Sequence, residues 1–510
     1  MIYKNLCLCL LGLFAFGQAT AATYYVDSRR GNDQHQGTSR GKAFKSLAKV
    51  NALSLRPGDV VLFRKGTTYQ GQLKITGRGL PGKMIRFGAY GAGSKPRIEG
   101  QGEHPAAVLI YNAEYLAFQD FEITNLGPDR KPRRMGLHIQ LQDFGIAHQV
   151  HIANLYIHDV NGSNVKQQGG GAGIHWTNRG KVKRSAFDGL LIEGCKIERT
   201  DRNGITSSGY ANRSNWFPSR NVVIRHNYLN DIGGDGIVPI GCQGAVIEYN
   251  VLYRGGQRFP QGDAAAGIWP WSCDNTLVQY NEVAYYGGPW DSQGFDSDWN
   301  CHNSVFQYNY SHDNDGGFML VCSPTQGNQD GNQGTIIRYN ISQNDGKRIK
   351  WEAAGFSPVF HITGPVKNTH IYNNIIYLNR KRDPREDTDI IKFDTWGGGW
   401  PDSTFFTNNI FYAADTASYS YGKSTNHFFT HNLYYGKLVN APQDAHAVYA
   451  DPGFVNGGQG RDGRKTLQGY RLKSTSPARN KGKVIMGIMQ DFFGEPIPLQ
   501  PATYHIGVDQ

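Results

Sequence analysis

The sequence predicts an all-β fold, a single-stranded right-handed parallel β-helix of about ten coils with a short capping helix near the N-terminus. A phrase of two or three β-forming residues, an aromatic residue or His, and then Asn recurs along the chain at varying intervals. Varying intervals around a constant strand phrase are typical of a solenoid whose turns differ in length. Glycine is abundant, with 64 residues, and only 19% of residues are charged, which suits short strands separated by tight turns.

The recurring phrase ends in a column of polar residues. Complete copies end at Asn227, Asn250, Asn281, Asn309 and Asn340, looser copies end at Asn374, Asn409 and Asn432, and Asp120, Asn154 and Cys195 are assigned to the same slot upstream. Equivalent side chains of stacked coils lie about 4.7–4.9 Å apart. Asn amides at that spacing can donate to one neighbour and accept from the other. We therefore expect a structural ladder and not catalytic asparagines.

Three cysteines follow the same register. Cys242, Cys273 and Cys301 precede the Asn of their coil by the same number of residues, which predicts a stacked column. Free cysteine behaves as a small buried hydrophobe, and this is the preferred interpretation. A disulfide between neighbouring coils is left open, and a zinc site is not expected without His at ligand spacing.

Both ends of the chain carry distinct signals. Residues 1–22 combine an early Lys, an apolar run and a small-residue pattern, and are expected to be a signal peptide that directs export to the periplasm or beyond. Residues 23–105 are expected to form the N-terminal cap and first coils, 106–440 the body and 441–510 a closing segment. Ala43–Leu53 predicts the capping helix, with Phe44, Leu47 and Val50 on one face. No later stretch predicts a membrane span.

Several segments resemble the pectate-lyase-like β-helix superfamily. The opening motifs are Tyr24-Tyr25-Val26-Asp27, Gly31-Asn32-Asp33, Pro57-Gly58-Asp59 and Gly88-Ala89-Tyr90-Gly91, and the closing ones are Asp451-Pro452-Gly453-Phe454 and Ile506-Gly507. The resemblance covers nearly the whole chain after residue 22 and implies the β-helix fold. It does not specify a reaction, because the superfamily contains hydrolases, lyases and epimerases.

A second strand in each coil predicts an exposed column of side chains. The strand opens with Gly and a bulky residue that should point inward, and alternation then sends the next residue, and the one two further on, outward. The predicted outward pairs are Thr206/Ser208, Val238/Ile240, Trp269/Trp271, Asp296/Asp298, Met319/Val321 and Lys350/Glu352, with His175 on the coil before them.

Two neighbouring carboxylates beside two indoles predict carbohydrate chemistry. Glycoside hydrolysis needs one protonated and one ionised carboxyl group around the scissile bond, and neighbouring acids push each other's pKa values apart. Asp296 and Asp298 are therefore the catalytic candidates, with Glu352 as a further one, and Trp269 and Trp271 are candidate platforms for sugar rings. Calcium binding by the aspartates and simple solvent exposure are left open.

The order of an Asp pair, His312 and then Arg348-Ile349-Lys350 resembles polygalacturonase-type hydrolases, although the pair is Asp-Ser-Asp here. The resemblance implies acid/base roles for Asp296 and Asp298, an auxiliary role for His312, and contacts of Arg348 and Lys350 with a uronate carboxylate. His175 and the two tryptophans complete the predicted substrate-binding set.

The favoured function is an exported glycoside hydrolase acting on a polysaccharide. The net charge of +11 favours an acidic, uronate-containing glycan, and no nucleic-acid-binding signature accompanies that charge. The first alternative is a polysaccharide lyase with Lys350 or Arg348 as base and calcium held by the aspartates. The second is a non-catalytic glycan-binding β-helix. No metal or cofactor is assigned, calcium is left open, and a monomer is expected.

Overall fold

The computed structural model describes residues 21–258, 263–324, 331–381, 383–395, 398–498 and 503–510. The predicted signal peptide lies outside these ranges except for its last two residues. Within them the chain winds repeatedly through three columns of parallel strands, here called sheets A, B and C. The predicted parallel β-helix is confirmed. No helix in the described part of the chain is long and apolar enough to cross a membrane.

Sheet A contains the Asn phrase of each coil. Its strands are Thr23–Val26, Val60–Arg64, Ile85–Tyr90, Leu116–Gln119, Ile146–Ala153, Ala186–Glu193, Ser219–Arg220, Val223–Arg225, Cys242–Gln243, Val246–Glu248, Leu277–Gln279, Val305–Gln307, Asn332–Gln333, Ile336–Arg338, Val366–Tyr372, Asp402–Thr407 and Thr425–Thr430.

Sheet B follows directly after the Asn position. Its strands are Thr68–Gln70, Arg97–Glu99, Glu122–Asn125, Tyr156–Val160, Lys196–Thr200, Tyr228–Ile232, Val251–Gly255, Glu282–Ala284, Tyr310–His312, Ile341–Gln343, Ile375–Leu378, Ile410–Ser420, Leu433–Val439 and Val448–Tyr449.

Sheet C carries the predicted exposed column. Its strands are Leu73–Arg78, Ala106–Glu114, Met135–Gln142, Ala172–Arg179, Asn203–Ser208, Ile237–Val238, Phe295–Ser297, Met319–Cys322, Phe360–Thr363 and Asp389–Asp394. Single bridges at Ile268 connect Ile237 to Phe295, so the column is continuous there. One face of each sheet points inward, and its Ile, Val, Leu and Phe side chains form a continuous buried core.

The predicted Asn ladder is confirmed from Asn227 to Asn432. Each side-chain amide nitrogen donates to the amide oxygen of the next Asn at 2.9–3.1 Å. The same oxygen accepts the backbone N–H of the preceding ladder residue. The last Asn donates its backbone and side-chain N–H groups to Asp444 at 3.0 Å. Buried polar groups are thereby paired along the whole column.

The assignment of Asp120 and Asn154 to the ladder slot is wrong by one residue. Strand register places them one position earlier, and the slot itself contains buried Phe121 and Leu155, then Cys195. Asp120 and Asn154 have φ of 68° and 51°, so they occupy the left-handed turn between sheets A and B. Asn suits both the left-handed turn and the buried slot, and the sequence pattern did not separate the two positions.

The remaining structural predictions can be compared directly. Cys242, Cys273 and Cys301 form the predicted column of buried, free cysteines; for example, the Cys242 N–H donates to the Cys273 sulfur at 3.3 Å. The capping helix is shorter than predicted, Leu47–Asn51, and Ser46 caps it by accepting the Lys49 N–H. Short 3-10 helices lie at Arg40–Lys42, Lys166–Gln168, Arg213–Asn215 and Arg464–Tyr470.

The C-terminal segment folds back along the body instead of only covering its end. Leu467, Tyr470 and Ile506 belong to one buried cluster with Tyr310 and Ile375 of sheet B. The Arg464 N–H donates to the Glu282 carboxylate at 3.2 Å, although the two residues are 182 positions apart. The segment therefore buries the outer side of sheet B. The predicted column on sheet C is less exposed than the sequence indicated, because Trp269 and Asp296 are themselves buried.

Candidate active site

Sheet C aligns the predicted site residues in two rows. One row is His138, His175, Thr206, Val238, Trp269, Asp296, Leu320, His361 and Lys392, and the other is Gln140, Thr177, Ser208, Ile240, Trp271, Asp298, Cys322 and Thr363. The sequence therefore brought His175, the two tryptophans and the two aspartates to one face, as predicted. Successive residues within a row are about 4.7–4.9 Å apart, because they lie on neighbouring strands.

The predicted outward pair Met319/Val321 is wrong, because both residues are buried in the core. The backbone N–H groups of Phe318 and Met319 both donate to the Val359 carbonyl, at 2.9 and 3.0 Å. This bulge adds one residue and shifts the strand, so that Leu320 and Cys322 follow Asp296 and Asp298.

Glu352 and Lys350 do not lie on sheet C. They are exposed in the connection between Ile341–Gln343 and Phe360–Thr363, and the latter is the true next strand of the sheet. Arg348 lies in the same connection and is buried. Its guanidinium donates to the backbone carbonyls of Pro289 and Asp291 and thus clamps another loop.

His312 lies on sheet B, beneath the C-terminal segment, and not at the site. It is fully buried and hydrogen-bonded to Asp313 at 2.9 Å and Glu282 at 3.4 Å. Burial lowers its pKa, but these two carboxylates outweigh burial and raise the pKa of His312 to about 9. The ring also stacks on Tyr310, with centroids 4.5 Å apart. These contacts support a structural role for His312.

This arrangement gives His312 a testable effect on stability. Its pKa is raised on folding, so the stabilisation is complete below the ordinary value of about 6.5 and is lost as pH rises through about 9. The thermal midpoint of the wild type should therefore fall between pH 7 and 9.5. His312→Gln should be less stable at pH 6.5 and lack that fall, as differential scanning fluorimetry can measure. Parallel curves for the two proteins would contradict this assignment.

The site centres on three close polar atoms. One atom each of Asp296, Asp298 and Cys322 lies within 4.8 Å of the others. The Cys322 thiol donates to Asp298 at 3.1 Å, and the Trp299 N–H donates to the same carboxylate at 2.7 Å. Burial is the main cause that raises the pKa of Asp298 to about 6. Burial, together with the charges of Asp298 and Asp291, raises the pKa of Asp296 well above its usual range.

A third carboxylate, Asp291, was missed in the sequence. It is half-buried, as is Asp298, whereas the side chain of Asp296 is only 5% exposed. Burial is the main cause that raises the pKa of Asp291, and nearby Asp235 adds to that rise, whereas the charges of Lys166 and Arg348 oppose it. Lys166 and Arg348 therefore favour the ionised form of Asp291. In the sequence, Asp291 could have been recognised as a site residue from its position just before the strand Phe295–Ser297.

Trp269 is fixed by a buried ion pair. The Arg202 guanidinium donates to Asp235 at 2.6 Å, and the other oxygen of Asp235 accepts the Trp269 indole N–H at 3.1 Å. The Lys166 ammonium lies 5.3 Å from the centre of a Trp269 ring and 3.9 Å from Asp235. Trp271 contacts Trp299 edge to face, with ring centroids 6.2 Å apart. The indoles are thus held rigidly beside the carboxylates.

Two histidines extend the face away from the aspartates. His138 and His175 stack with centroids 5.6 Å apart, and burial is the main cause that lowers their pKa values to about 4 and about 3. Both are therefore neutral at pH 7. Each hydrogen-bonds a hydroxyl at 3.0 Å, His138 that of Thr177 and His175 that of Ser208. Neutral imidazoles and hydroxyls are suitable partners for sugar hydroxyl groups.

Two cavities lie along sheet C, and neither is lined by Asp296 or Asp298; in the sheet register the first reaches Trp269 before Asp296, and the second reaches His361 beyond it. The first has a volume of about 560 Å³ and is lined by His138, His175, Lys166, Trp269 and Trp271 among others. The second has a volume of about 590 Å³ and is lined by Ala264, Trp290, Asp291, Gln293, Gly316, Arg348, Ala353, Phe356, His361, Asp394 and Thr395. Both sizes are typical of ligand sites.

The trio of Asp296, Asp298 and Cys322 fits calcium poorly. Calcium takes six to eight oxygen ligands, whereas this group supplies two carboxylates and a thiol. Burial is the main cause that raises the pKa of the Cys322 thiol well above its usual range, so it remains protonated and serves as a hydrogen-bond donor. Whether the protein needs a cofactor stays a prediction.

The chain is similar in sequence to one protein of known activity over most of its length. No family model matches the chain. A lacto-N-biosidase from Bifidobacterium longum subsp. longum is 28% identical over 95% of this chain, and the chain spans 36% of that relative's length.

Solved structures that resemble this chain include another lacto-N-biosidase. A GH136 lacto-N-biosidase from Eubacterium ramulus is 26% identical, with a TM-score of 0.58, over 73% of this chain and 67% of that one. A structure of XylC in complex with xylose is 12% identical, with a TM-score of 0.53, over 95% of this chain and 98% of that one, and supports the fold alone. These similarities support the right-handed parallel β-helix fold of this chain.

Proposed function

We propose that the protein is a glycoside hydrolase whose active site is the carboxylate cluster on sheet C. The observation that carries this proposal is a half-buried acid with a pKa of about 6, Asp298, close to a second carboxylate, Asp291, that lines one of the two cavities. Glycoside hydrolysis requires a carboxyl group that is protonated near neutral pH and a second that is ionised.

The three acids take different roles in this proposal. Asp298 protonates the oxygen of the leaving group, and its raised pKa keeps a useful fraction protonated. Asp291 is the ionised partner, because Lys166 and Arg348 favour its charged form. Asp296 is the most deeply buried and retains its proton, and the Cys322 sulfur lies 4.0 Å from its carboxyl group. Trp269 and Trp271 supply apolar faces for the sugar rings.

The lyase alternative loses the two residues predicted as its base. A β-elimination needs a basic side chain at the α-proton and a cation at the carboxylate. Lys350 is exposed away from sheet C, and Arg348 donates to backbone carbonyls. A non-catalytic glycan-binding role would not require buried acids of raised pKa, which are costly to maintain.

The substrate hypothesis comes from the similar proteins. Two of them are named lacto-N-biosidases, and we propose that this chain likewise cleaves a glycan that ends in a lacto-N-biosyl unit. The acidic glycan predicted from net charge remains the competing substrate.

The test uses purified protein with p-nitrophenyl lacto-N-bioside and, separately, with polygalacturonate and alginate. We expect release of p-nitrophenol and a free disaccharide, without the ultraviolet absorbance of an unsaturated uronate. Unsaturated products would contradict the hydrolase proposal. Hydrolysis of another glycan but not of the lacto-N-bioside would contradict only the substrate, and failure to hydrolyse any glycan in a broad panel would contradict the activity.

Lys166 provides a pH-dependent prediction. Its charge lowers the pKa of Asp298 and of Asp291, so Lys166→Met should raise both. Because Asp298 acts in its protonated form, kcat/KM of the wild type should fall as pH rises through about 6, and in Lys166→Met this fall should move to higher pH. The control is Lys473→Met, an exposed lysine of the C-terminal segment. A shift to lower pH, or an equal shift in both variants, would refute the assignment.

A further inference from the structure

The second cavity contains polar atoms that lack partners within the protein. Gln293 is 4% exposed and Arg348 is 2% exposed, and both line this cavity. In the described part of the chain, the side-chain oxygen of Gln293 and the Nε of Arg348 have no hydrogen-bond partner. Leaving such groups unpaired is costly, so a donor and an acceptor from a bound molecule would stabilise them.

Two aromatic side chains stand at the same cavity with large exposed surfaces. Trp290 is 49% exposed and Phe356 is 39% exposed. Trp290 is not loose, because the guanidinium of Arg348 holds the carbonyls on both sides of it, those of Pro289 and Asp291. Phe356 packs edge to face on His361, with centroids 5.3 Å apart. Rigid apolar faces beside unpaired polar atoms are a typical arrangement for a saccharide.

The charges around this cavity largely cancel. Arg348 lies within electrostatic range of Asp291 and Asp315, His361 pairs with Asp394 at 3.4 Å, and Lys392 pairs with Asp389 at 3.6 Å. A uronate carboxylate would need a cation not already balanced, so the surroundings favour an uncharged ligand.

We propose that the second cavity binds a neutral sugar, namely the part of the glycan that lies beyond the scissile bond. This rests on the proposed function, because Asp298 then lies between a glycan portion in the first cavity and a portion here. Trp269 and His361 are three strands apart along sheet C, which corresponds to a distance of about 14 Å. The substrate therefore occupies both sides of the acids.

The test measures binding and does not depend on turnover. Wild type, Trp290→Ala and Gln293→Leu are titrated with lactose, a neutral disaccharide, and with digalacturonate, its acidic counterpart, by isothermal calorimetry. Lactose should bind the wild type. Its affinity should be about tenfold lower for Trp290→Ala and about fivefold lower for Gln293→Leu. The control is Phe428→Ala, which removes an equally exposed aromatic from sheet A and should leave lactose affinity unchanged.

The outcomes separate this proposal from the proposed function. No lactose binding, unchanged affinity in Trp290→Ala and Gln293→Leu, or tighter binding of digalacturonate than of lactose would overturn it, even if the protein hydrolyses glycans. Lactose binding that weakens as expected supports it, even if p-nitrophenyl lacto-N-bioside is not cleaved. The thermal midpoint of each variant is measured to check that it is folded. The midpoints should lie within a few degrees of the wild type, because the substitutions are at exposed or loop positions.

Discussion

Replacing Asp298 by Asn should lower kcat/KM by about 10²–10⁴-fold, the usual contribution of a general acid. Asn has nearly the same shape but cannot protonate a leaving group. The carboxylate oxygen still accepts from Cys322 and from the Trp299 N–H in the wild type, and the Asn oxygen can replace that acceptor, so the fold should persist. The measurement is steady-state hydrolysis of p-nitrophenyl lacto-N-bioside, with circular dichroism as the check on folding.

The same substitution at the neighbouring acids assigns their roles. Asp291→Asn removes the ionised partner and should cause a loss of similar size. Asp296→Asn should cost much less, because Asp296 is already protonated and Asn mimics that state. Equal losses at Asp296 and Asp298, with full activity in Asp291→Asn, would exchange the roles of Asp291 and Asp296. Full activity in all three variants would remove the site from sheet C.

The sequence predicted part of this site, and the reason lies in strand register. The Gly-plus-bulky-residue phrase aligned Trp269, Trp271, Asp296 and Asp298 correctly, because no bulge separates those strands. Asp291 was missed because it lies in a turn, where alternation gives no direction. The loop residues Lys350 and Glu352 were misplaced because Arg348-Ile349-Lys350 reads as a strand, whereas the chain makes a connection before the next strand of sheet C begins at Phe360.

The largest effect on stability is expected in the ladder. Asn309→Leu preserves side-chain size but removes the oxygen that accepts the backbone and side-chain N–H groups of Asn281, and the nitrogen that donates to Asn340 and Val278. Buried groups left without partners cost about 1–3 kcal/mol each. We therefore expect the free energy of unfolding in urea to fall by about 3–6 kcal/mol, with a matching drop in the thermal midpoint.

Asn154→Leu is the matched control for the ladder variant. Asn154 is exposed and lies one residue before the slot, and its backbone is left-handed. The same substitution there should therefore lower the free energy of unfolding by only about 1–2 kcal/mol, the cost of placing Leu in that backbone conformation. Equal losses in the two variants would mean that buried amide pairing is not the source of the effect.

The ladder asparagines made the overall fold predictable from the sequence, but not the alignment of the first coils. Eight asparagines repeated with a constant strand phrase were sufficient to predict the solenoid, because few other folds place identical polar side chains in a buried row. The first coils were harder to align. Phe121 and Leu155 fill the slot there with apolar side chains, so the nearest polar residues, Asp120 and Asn154, drew the alignment one position away.

The end of the ladder has a consequence for the length of the protein. Every amide in the row points the same way, and the row stops at Asp444, a carboxylate that accepts from Asn432 without carrying an N–H of its own to satisfy. The row therefore consists of identical hydrogen-bonding units that end at a residue which only accepts. A coil that brings one Asn can be inserted or removed between two existing coils without altering either terminus, so duplication of single coils is a chemically neutral way for such a protein to lengthen its groove.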